Sequence, residues 1–133
     1  MPFPFPSHDW VTALKDKLNT SASYAEIAKT WEGDILFQVD MPDGRALLLY
    51  LDLWHGQCRN AFEAKDSSQQ AAFRLSAPLA NFVKVLKGEL DPMQAMMTGR
   101  LKVQGSMVVL MKNIPTVLEF VNVARTVETV FPN

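Results

Sequence analysis

The amino-acid sequence predicts one α+β domain, residues 1–133, in which helices cover one face of a five-stranded, mainly antiparallel sheet. Strand-like alternation broken by tight turns fills the middle of the chain, and apolar residues at helical spacing occupy both flanks. The 133 residues, 48% of them hydrophobic and 20% charged, suit a single domain with a substantial core. Helices packed on one face of such a sheet form an α+β layering.

The N-terminal segments are predicted to be an extended arm followed by two helices. Proline and phenylalanine alternate in residues 1–6, and each proline disfavours the helical conformation of the residue before it. We expect this arm to dock on the domain itself. Ser7 is a suitable N-cap for the first helix, and a capping box that starts at Ser23 predicts the second.

The middle of the chain is predicted to form a meander of three strands, over residues 35–40, 46–53 and 57–64. The first strand alternates apolar and polar residues, whereas the second is almost wholly apolar, as expected of an interior strand. Met41–Gly44 and His55–Gly56 supply the two turns. A fourth short strand is expected around Phe73.

Helices and one further strand are predicted for the C-terminal half. Ser76 is expected to cap one helix, and Asp91–Pro92 to start the next as cap and first-turn proline. A fifth strand is expected over residues 100–104. After another short helix, the final helix begins at Asn113, and its two apolar faces continue as far as Val130. Apolar residues on more than one side imply cover from more than one side.

Composition argues against several classes of function. A net charge of −1 creates no field that would attract nucleic acid. Two histidines and one cysteine supply neither a catalytic triad nor a metal-ligand cluster, and no glycine-rich nucleotide-binding motif is present. We therefore expect no enzymatic activity, no metal and no cofactor.

Other features of the sequence predict where the protein resides. No apolar run in the sequence is long enough to span a bilayer. Residues 1–6 do not resemble a secretory signal, and the last residues do not resemble a peroxisomal one. Together with the lone Cys58, which suits a reducing compartment, these features predict a cytoplasmic protein.

Asp52 and Cys58 leave a catalytic interpretation open as the weaker alternative. A buried Asp52 could have the raised pKa of a catalytic acid. If His55 and Gly56 form the turn, however, Asp52 falls opposite Arg59, which favours a structural ion pair of roughly 0.2–1 kcal/mol. Cys58 is expected to be a small buried side chain rather than a nucleophile.

Five of the seven methionines lie between Met93 and Met111, on two predicted helices that flank the fifth strand. Methionine is an ordinary core residue, but it also suits surfaces that accept several ligands. The segment contains the Asp91–Pro92 helix start, then Gly99-Arg100-Leu101-Lys102-Val103, Gly105-Ser106-Met107 and Lys112. It resembles the type-two sterol carrier protein family, and Tyr24–Ala28 with Trp31–Phe37 resembles the start of its stand-alone bacterial members.

The resemblance extends from about Trp10 to Val127 and implies an apolar tunnel between the sheet and the C-terminal helices. Family members bind sterols, fatty acyl chains, phospholipids and related amphiphiles, and the fold has no catalytic residues. We therefore expect binding and intracellular transfer or presentation of a fatty acyl, phospholipid, sterol-like or isoprenoid and quinone lipid. The residues expected to line the tunnel are Phe82, Leu86, Met96, Met107, Leu110, Met111, Ile114, Val117, Leu118 and Val121.

The alternative function is a dimerisation or enzyme-assembly module that uses the same fold. Four apolar residues project from the sheet face opposite the expected helices: Leu36, Ala46, Leu48 and Tyr50. If helices cover only one face, these residues form an exposed apolar patch of the kind that marks an interface. We therefore expect a homodimer, together with transient contact with a membrane or an enzyme, and no nucleic-acid partner.

Overall fold

The computed structural model describes residues 2–132, in which one five-stranded sheet packs against helices. The strands are β1 (Phe3–Pro4), β2 (Ile35–Asp40), β3 (Ala46–Trp54), β4 (Gln57–Ala64), β5 (Phe73–Pro78), β6 (Lys102–Gln104) and β7 (Thr129–Val130). The helices are α1 (His8–Asn19), α2 (Ala22–Ile27), α3 (Leu79–Leu86), α4 (Pro92–Met97), α5 (Met107–Lys112) and α6 (Ile114–Ala124).

The large sheet is mixed, with the strand order β4-β3-β2-β5-β6. The pairs β2–β3, β3–β4 and β5–β6 are antiparallel, whereas β2 and β5 are parallel. The predicted α+β class and the five strands are confirmed. The parallel pairing of β2 with β5 is a feature that the sequence did not predict. It arises because residues 65–72 carry the chain from the edge strand β4 to the far side of β2, and parallel neighbours require such a crossover.

Side-chain caps start four of the helices and correct two predictions. In each case a backbone amide in the first turn donates a hydrogen bond to the side-chain oxygen of the cap. The pairs are Trp10 to Ser7 (3.0 Å), Tyr24 to Ser21 (3.1 Å), Met93 to Asp91 (2.9 Å) and Val109 to Ser106 (3.2 Å). The second helix is therefore capped by Ser21 and not by Ser23. Ser76 lies within β5, which continues to Pro78, so α3 starts without the predicted serine cap.

The final helix is shorter than predicted, because α6 ends at Ala124 and the chain then forms β7. β7 pairs in parallel with β1, and the Phe3 and Phe5 amides donate to the carbonyls of Glu128 (2.7 Å) and Val130 (3.0 Å). These bonds to the arm replace the helical hydrogen bonds that the sequence pattern favoured. The arm is extended as predicted, and it docks on the domain with Phe5 buried.

The β3–β4 hairpin turns at His55 and Gly56, so Trp54 pairs with Gln57 and Leu53 with Cys58, as predicted. A bulge between Asp52 and Leu53 then places Asp52 opposite Asn60 rather than Arg59. The ion pair forms nevertheless, because the Arg59 guanidinium reaches the Asp52 carboxylate at 3.1 Å.

The main core lies between the helices and the sheet face that carries Ile35, Phe37 and Leu49. The opposite face was expected to be an exposed apolar patch, and this expectation is wrong for Leu36 and Leu48, which are buried. They are covered because Ala71, in the crossover of residues 65–72, packs against them together with Phe62. The exposed patch therefore no longer supports a homodimer, which stays a prediction.

Candidate functional site

A cavity of about 100 Å³ lies in the main core, between the helices and the sheet. Every layer of the fold contributes to its wall: Phe5 from the arm, side chains from α1 to α6, and residues of β2, β3 and β5. The lining side chains are Phe5, Trp10, Leu14, Tyr24, Trp31, Ile35, Phe37, Leu49, Leu53, Leu75, Phe82, Val85, Leu86, Pro92, Met96, Leu101, Leu110, Thr116, Val117, Phe120, Val121 and Ala124.

Local sequence explains why the helical part of this wall points inward. Asp91 and the first-turn Pro92 fix the start of α4 and thereby turn Met96 toward the core. Ser106 caps α5, of which Leu110 is the single buried residue. In α6, Val117 and Val121 are one turn apart and therefore share a helix face.

Six of the ten residues expected to line a tunnel lie together in this wall: Phe82, Leu86, Met96, Leu110, Val117 and Val121. The other four lie outside it. Met107 and Ile114 pack partly buried against the main core. Met111 and Leu118 are 40% and 39% exposed on the outer surface. Their contact with a ligand stays a prediction, as does the tunnel itself.

Sequence reasoning missed most of the aromatic side chains in the wall. Phe5, Trp10, Tyr24, Trp31 and Phe37 all line the cavity, and Phe37 stacks on Phe120 of α6 with ring centroids 5.9 Å apart. Strand alternation already placed Phe37 on the helix-facing side. The others come from the arm, from α1 and α2 and from the segment before β2, and no local pattern reveals that these segments converge on α6.

The cavity is electrically neutral, since no charged side chain occurs among the described residues that line it. Burial raises the pKa of the Tyr24 hydroxyl, and the nearby Cys58 adds to the rise. Burial likewise raises the pKa of the Cys58 thiol to about 12. Both groups therefore stay protonated at neutral pH, which suits apolar contents and gives no nucleophile.

Comparison with known proteins decides the family of this fold. The model of the SCP-2 sterol transfer family matches residues 11–117, most of the chain. The chain belongs to this family. The predicted resemblance is thereby confirmed, and with it the association of the family with lipid binding and transfer.

Solved structures of SCP-2 proteins agree with this assignment. A crystal structure of sterol carrier protein 2 is 35% identical, with a TM-score of 0.86 over 91% of this chain and 97% of that one. A conserved protein of Thermus thermophilus, described as possibly a sterol carrier protein, is also 35% identical, with a TM-score of 0.84 over 92% and 88% of the two chains.

Among curated proteins, the mouse stomatin-like protein 1 is 36% identical over 76 residues, which are 57% of this chain. The match spans only 18% of the length of that protein. The SCP-2 fold of this chain therefore corresponds to one part of a larger molecule there.

The residues weighed for catalysis have structural partners in this SCP-2 fold. Asp52 is paired with Arg59, and the His55 ring contacts the Glu32 carboxylate at 2.6 Å. The His8 Nδ1 atom accepts a hydrogen bond from the Glu63 amide. No group of three His, Cys, Asp or Glu side chains that could hold a metal occurs within residues 2–132.

The outer surface near the cavity carries several exposed apolar side chains. They lie on α4, α5 and α6: Met97, Val108, Val109, Met111 and Leu118. Because α5 also supplies Leu110 to the cavity wall, this apolar surface and the cavity share one short helix. Within residues 2–132, no helix combines the length and the apolar character needed to cross a bilayer.

Proposed function

We propose that the protein is a non-catalytic carrier that binds a hydrophobic ligand in this cavity and transfers or presents it inside the cell. The observation that carries the proposal is a cavity with a neutral, largely aromatic and aliphatic wall, located in a fold of the SCP-2 family. Ligand sites are typically apolar concavities with few polar groups. Fatty acyl, phospholipid, sterol-like and isoprenoid lipids are the candidate ligands.

A lipid needs more space than the cavity offers. Ligand pockets usually measure about 300–1,000 Å³, against about 100 Å³ here, so part of the wall has to move when a lipid enters. We infer that α5 is the moving part, since it is six residues long, Leu110 is its single buried residue and Met107 packs against the core only partly buried. Displacing one buried leucine costs roughly 1.5–3 kcal/mol, an amount that a bound acyl chain offsets.

Organic extraction of the purified protein, followed by mass spectrometry, tests the proposal directly. We expect a lipid in the extract in stoichiometric amount. Stripped protein should then gain thermal stability when the same lipid is added, because a ligand that binds the folded state shifts the unfolding equilibrium. A clean extract, combined with no stabilisation by any fatty acid, phospholipid, sterol or quinone, would contradict the carrier function.

Two adjacent residues of α6 provide a matched pair of variants. Val117 lines the cavity, whereas Leu118 is 39% exposed on the outside. Val117→Asp should weaken lipid binding by at least about a hundredfold, because a carboxylate that faces an acyl chain is desolvated without a partner. Leu118→Asp should bind lipid like the parent, because Leu118 is exposed and does not line the cavity, and this result would rule out the ligand contact that the sequence predicted for Leu118. Equal loss in both variants would mean that α6 does not form the wall as described.

Contact with membranes is the second part of the proposal. The exposed side chains Val108, Val109 and Met111 on α5 lie in sequence between Lys102 and Lys112, both exposed. Apolar side chains flanked by lysines suit the surface of an anionic bilayer. Sedimentation with vesicles should show binding to phosphatidylserine mixtures that Val108→Asp abolishes, and little binding to pure phosphatidylcholine.

The same exposed residues are the observation that favours an assembly module, which we keep as the second candidate function. An apolar surface on α4, α5 and α6 suits a second copy or an enzyme as well as a membrane. Light scattering distinguishes the two functions. A concentration-dependent dimer that Val108→Asp dissociates, in a protein without extractable lipid, would favour the module.

A further inference from the structure

The methionines within residues 2–132 divide into two groups by exposure. Four are buried or partly buried in the main core: Met41, Met93, Met96 and Met107. The other two are exposed, Met97 at 68% and Met111 at 40%. An oxidant dissolved in water reaches exposed side chains before buried ones, so Met97 and Met111 are the methionines open to chemical modification in the folded protein.

Each exposed methionine directly follows a residue of the cavity wall. Met96 precedes Met97 on α4, Leu110 precedes Met111 on α5, and both Met96 and Leu110 line the cavity. Successive residues of an α-helix point about 100° apart, and here the second residue of each pair faces solvent. A chemical change at Met97 or Met111 therefore alters the outer surface and leaves the cavity wall as it is.

Met111 belongs to the apolar surface of α5 for which we proposed contact with membranes. Val108 and Met111 are spaced i, i+3 and share one face of the helix, and the exposed Lys112 follows directly. Met97 on α4 is the most exposed of the large hydrophobic side chains in the described part of the chain. Binding to a bilayer surface increases with the apolar area that enters it, so both side chains favour binding only while they remain apolar.

We propose, on the basis of this membrane contact, that Met97 and Met111 are modification sites at which hydrogen peroxide forms methionine sulfoxide and thereby releases the protein from a membrane. The thioether sulfur attacks one peroxide oxygen and the O–O bond breaks. That oxygen stays on the sulfur, which is oxidised by two electrons, and the other oxygen leaves as water. Methionine sulfoxide is polar, and methionine sulfoxide reductases return it to the thioether, so the release is reversible.

The cysteine of the chain does not compete for the oxidant. Cys58 is 1% exposed, and burial raises the pKa of its thiol to about 12. The thiolate is the reactive form of cysteine, and this thiol keeps its proton at neutral pH. Hydrogen peroxide therefore acts first on the exposed methionines.

The test treats the purified full chain with hydrogen peroxide and maps oxidation by peptide mass spectrometry. We expect Met97 and Met111 to be oxidised first, and fragment spectra separate Met97 from the neighbouring Met96. Sedimentation with phosphatidylserine vesicles should then show binding at least about tenfold weaker. Lipid extracted from the oxidised protein should match that from the untreated protein, and methionine sulfoxide reductase should restore sedimentation.

Three double variants separate the polarity of these two side chains from other oxidative damage. Met97→Leu with Met111→Leu keeps an apolar surface of similar volume, so it should sediment like the parent and stay bound after peroxide treatment. Met97→Gln with Met111→Gln is polar from the start and should bind vesicles weakly without peroxide. Met41→Leu with Met107→Leu, at partly buried positions, is the matched control and should be as sensitive to peroxide as the parent.

The outcomes distinguish this inference from the membrane contact on which it rests. Full vesicle binding after both methionines are oxidised would overturn the inference and leave the membrane contact in place. Equal peroxide sensitivity of the Met97→Leu, Met111→Leu variant and the parent would do the same. Loss of the extractable lipid on oxidation would mean that the modification acts through the cavity, which also overturns it. Failure of the untreated parent to bind vesicles would overturn both.

Discussion

Filling the cavity with protein atoms should stabilise the molecule. At about 24 cal/mol per Å³, a space of about 100 Å³ that no atoms fill costs about 2.4 kcal/mol. Val117 and Val121 line this space from α6, one turn apart. Replacing both with isoleucine adds two methylene groups in the rotamer that valine already prefers in a helix. At about 0.8 kcal/mol for each buried methylene, we expect a gain of about 1.6 kcal/mol, below the ceiling set by the cavity.

The gain is large enough to measure by calorimetry. An unfolding entropy of about 2.1 cal/mol/K per residue, over 133 residues, converts 1 kcal/mol into about 3.6 °C. The double variant Val117→Ile with Val121→Ile should therefore melt about 5–6 °C above the parent, when both are stripped of lipid. The same variant should bind a fluorescent fatty-acid analogue more weakly, since the added methylenes occupy the space that the ligand uses.

Val108→Ile is the matched control, because Val108 is 62% exposed on α5. An exposed substitution of this kind changes stability by less than about 0.5 kcal/mol, so its melting temperature should stay within about 2 °C of the parent. A double variant that melts lower than the parent would refute the reasoning. Such a result would mean that the wall beside Val117 and Val121 is already close-packed, since overpacking costs about 1–3 kcal/mol.

Three further outcomes are expected. A non-glycine residue in the left-handed conformation costs about 1–2 kcal/mol. Gly56→Ala should destabilise the protein by clearly more than this, because φ is +79° and the new Cβ would also lie 2.5 Å from the Ala25 carbonyl oxygen. Gly44→Ala, at φ +92° with nothing within 4 Å, should cost only that amount in urea unfolding. Arg59→Ala should cost about 1 kcal/mol or less, because its ion pair with Asp52 is partly exposed; a loss above about 3 kcal/mol would mean that the pair is buried in solution. Finally, the pKa of the Cys58 thiol is about 8.5 in the unfolded chain and is raised to about 12 in the folded protein. Between these pH values the unfolded state binds fewer protons than the folded state. The free energy of unfolding should therefore fall as pH rises, by up to about 1.4 kcal/mol per pH unit. Cys58→Ala should show a shallower fall between about pH 8.5 and 10, and parallel curves for the two proteins would argue against the raised pKa.

The elements that depend on neighbours in sequence were predicted well. The caps Ser7 and Asp91 and the turn at His55–Gly56 each rest on a few adjacent residues, and all three are confirmed. The Ser76 cap failed because β5 pairs along its whole length with β2. Such pairing is a tertiary effect that outweighs a local capping signal.

The candidate site shows the same division between local and distant information. Helical periodicity was sufficient to identify Val117 and Val121 as inward-facing residues of α6. It could not exclude Leu118, because the apolar residues of α6 cover more than one side and no pattern says which side meets solvent. The contribution of Phe5 and Tyr24 depends on segments that meet α6 from the other end of the chain, and their convergence is set by the whole fold.

The ladder between β1 and β7 has a consequence for the order of folding. It joins Phe3 to Thr129, positions separated by almost the entire chain. Contacts so distant in sequence carry the largest loop-closure entropy and form late. Phe5 follows directly on β1 and takes its place in the cavity wall only when this ladder is made. During synthesis, the wall therefore remains incomplete on that side until β7 has left the ribosome and can pair with β1.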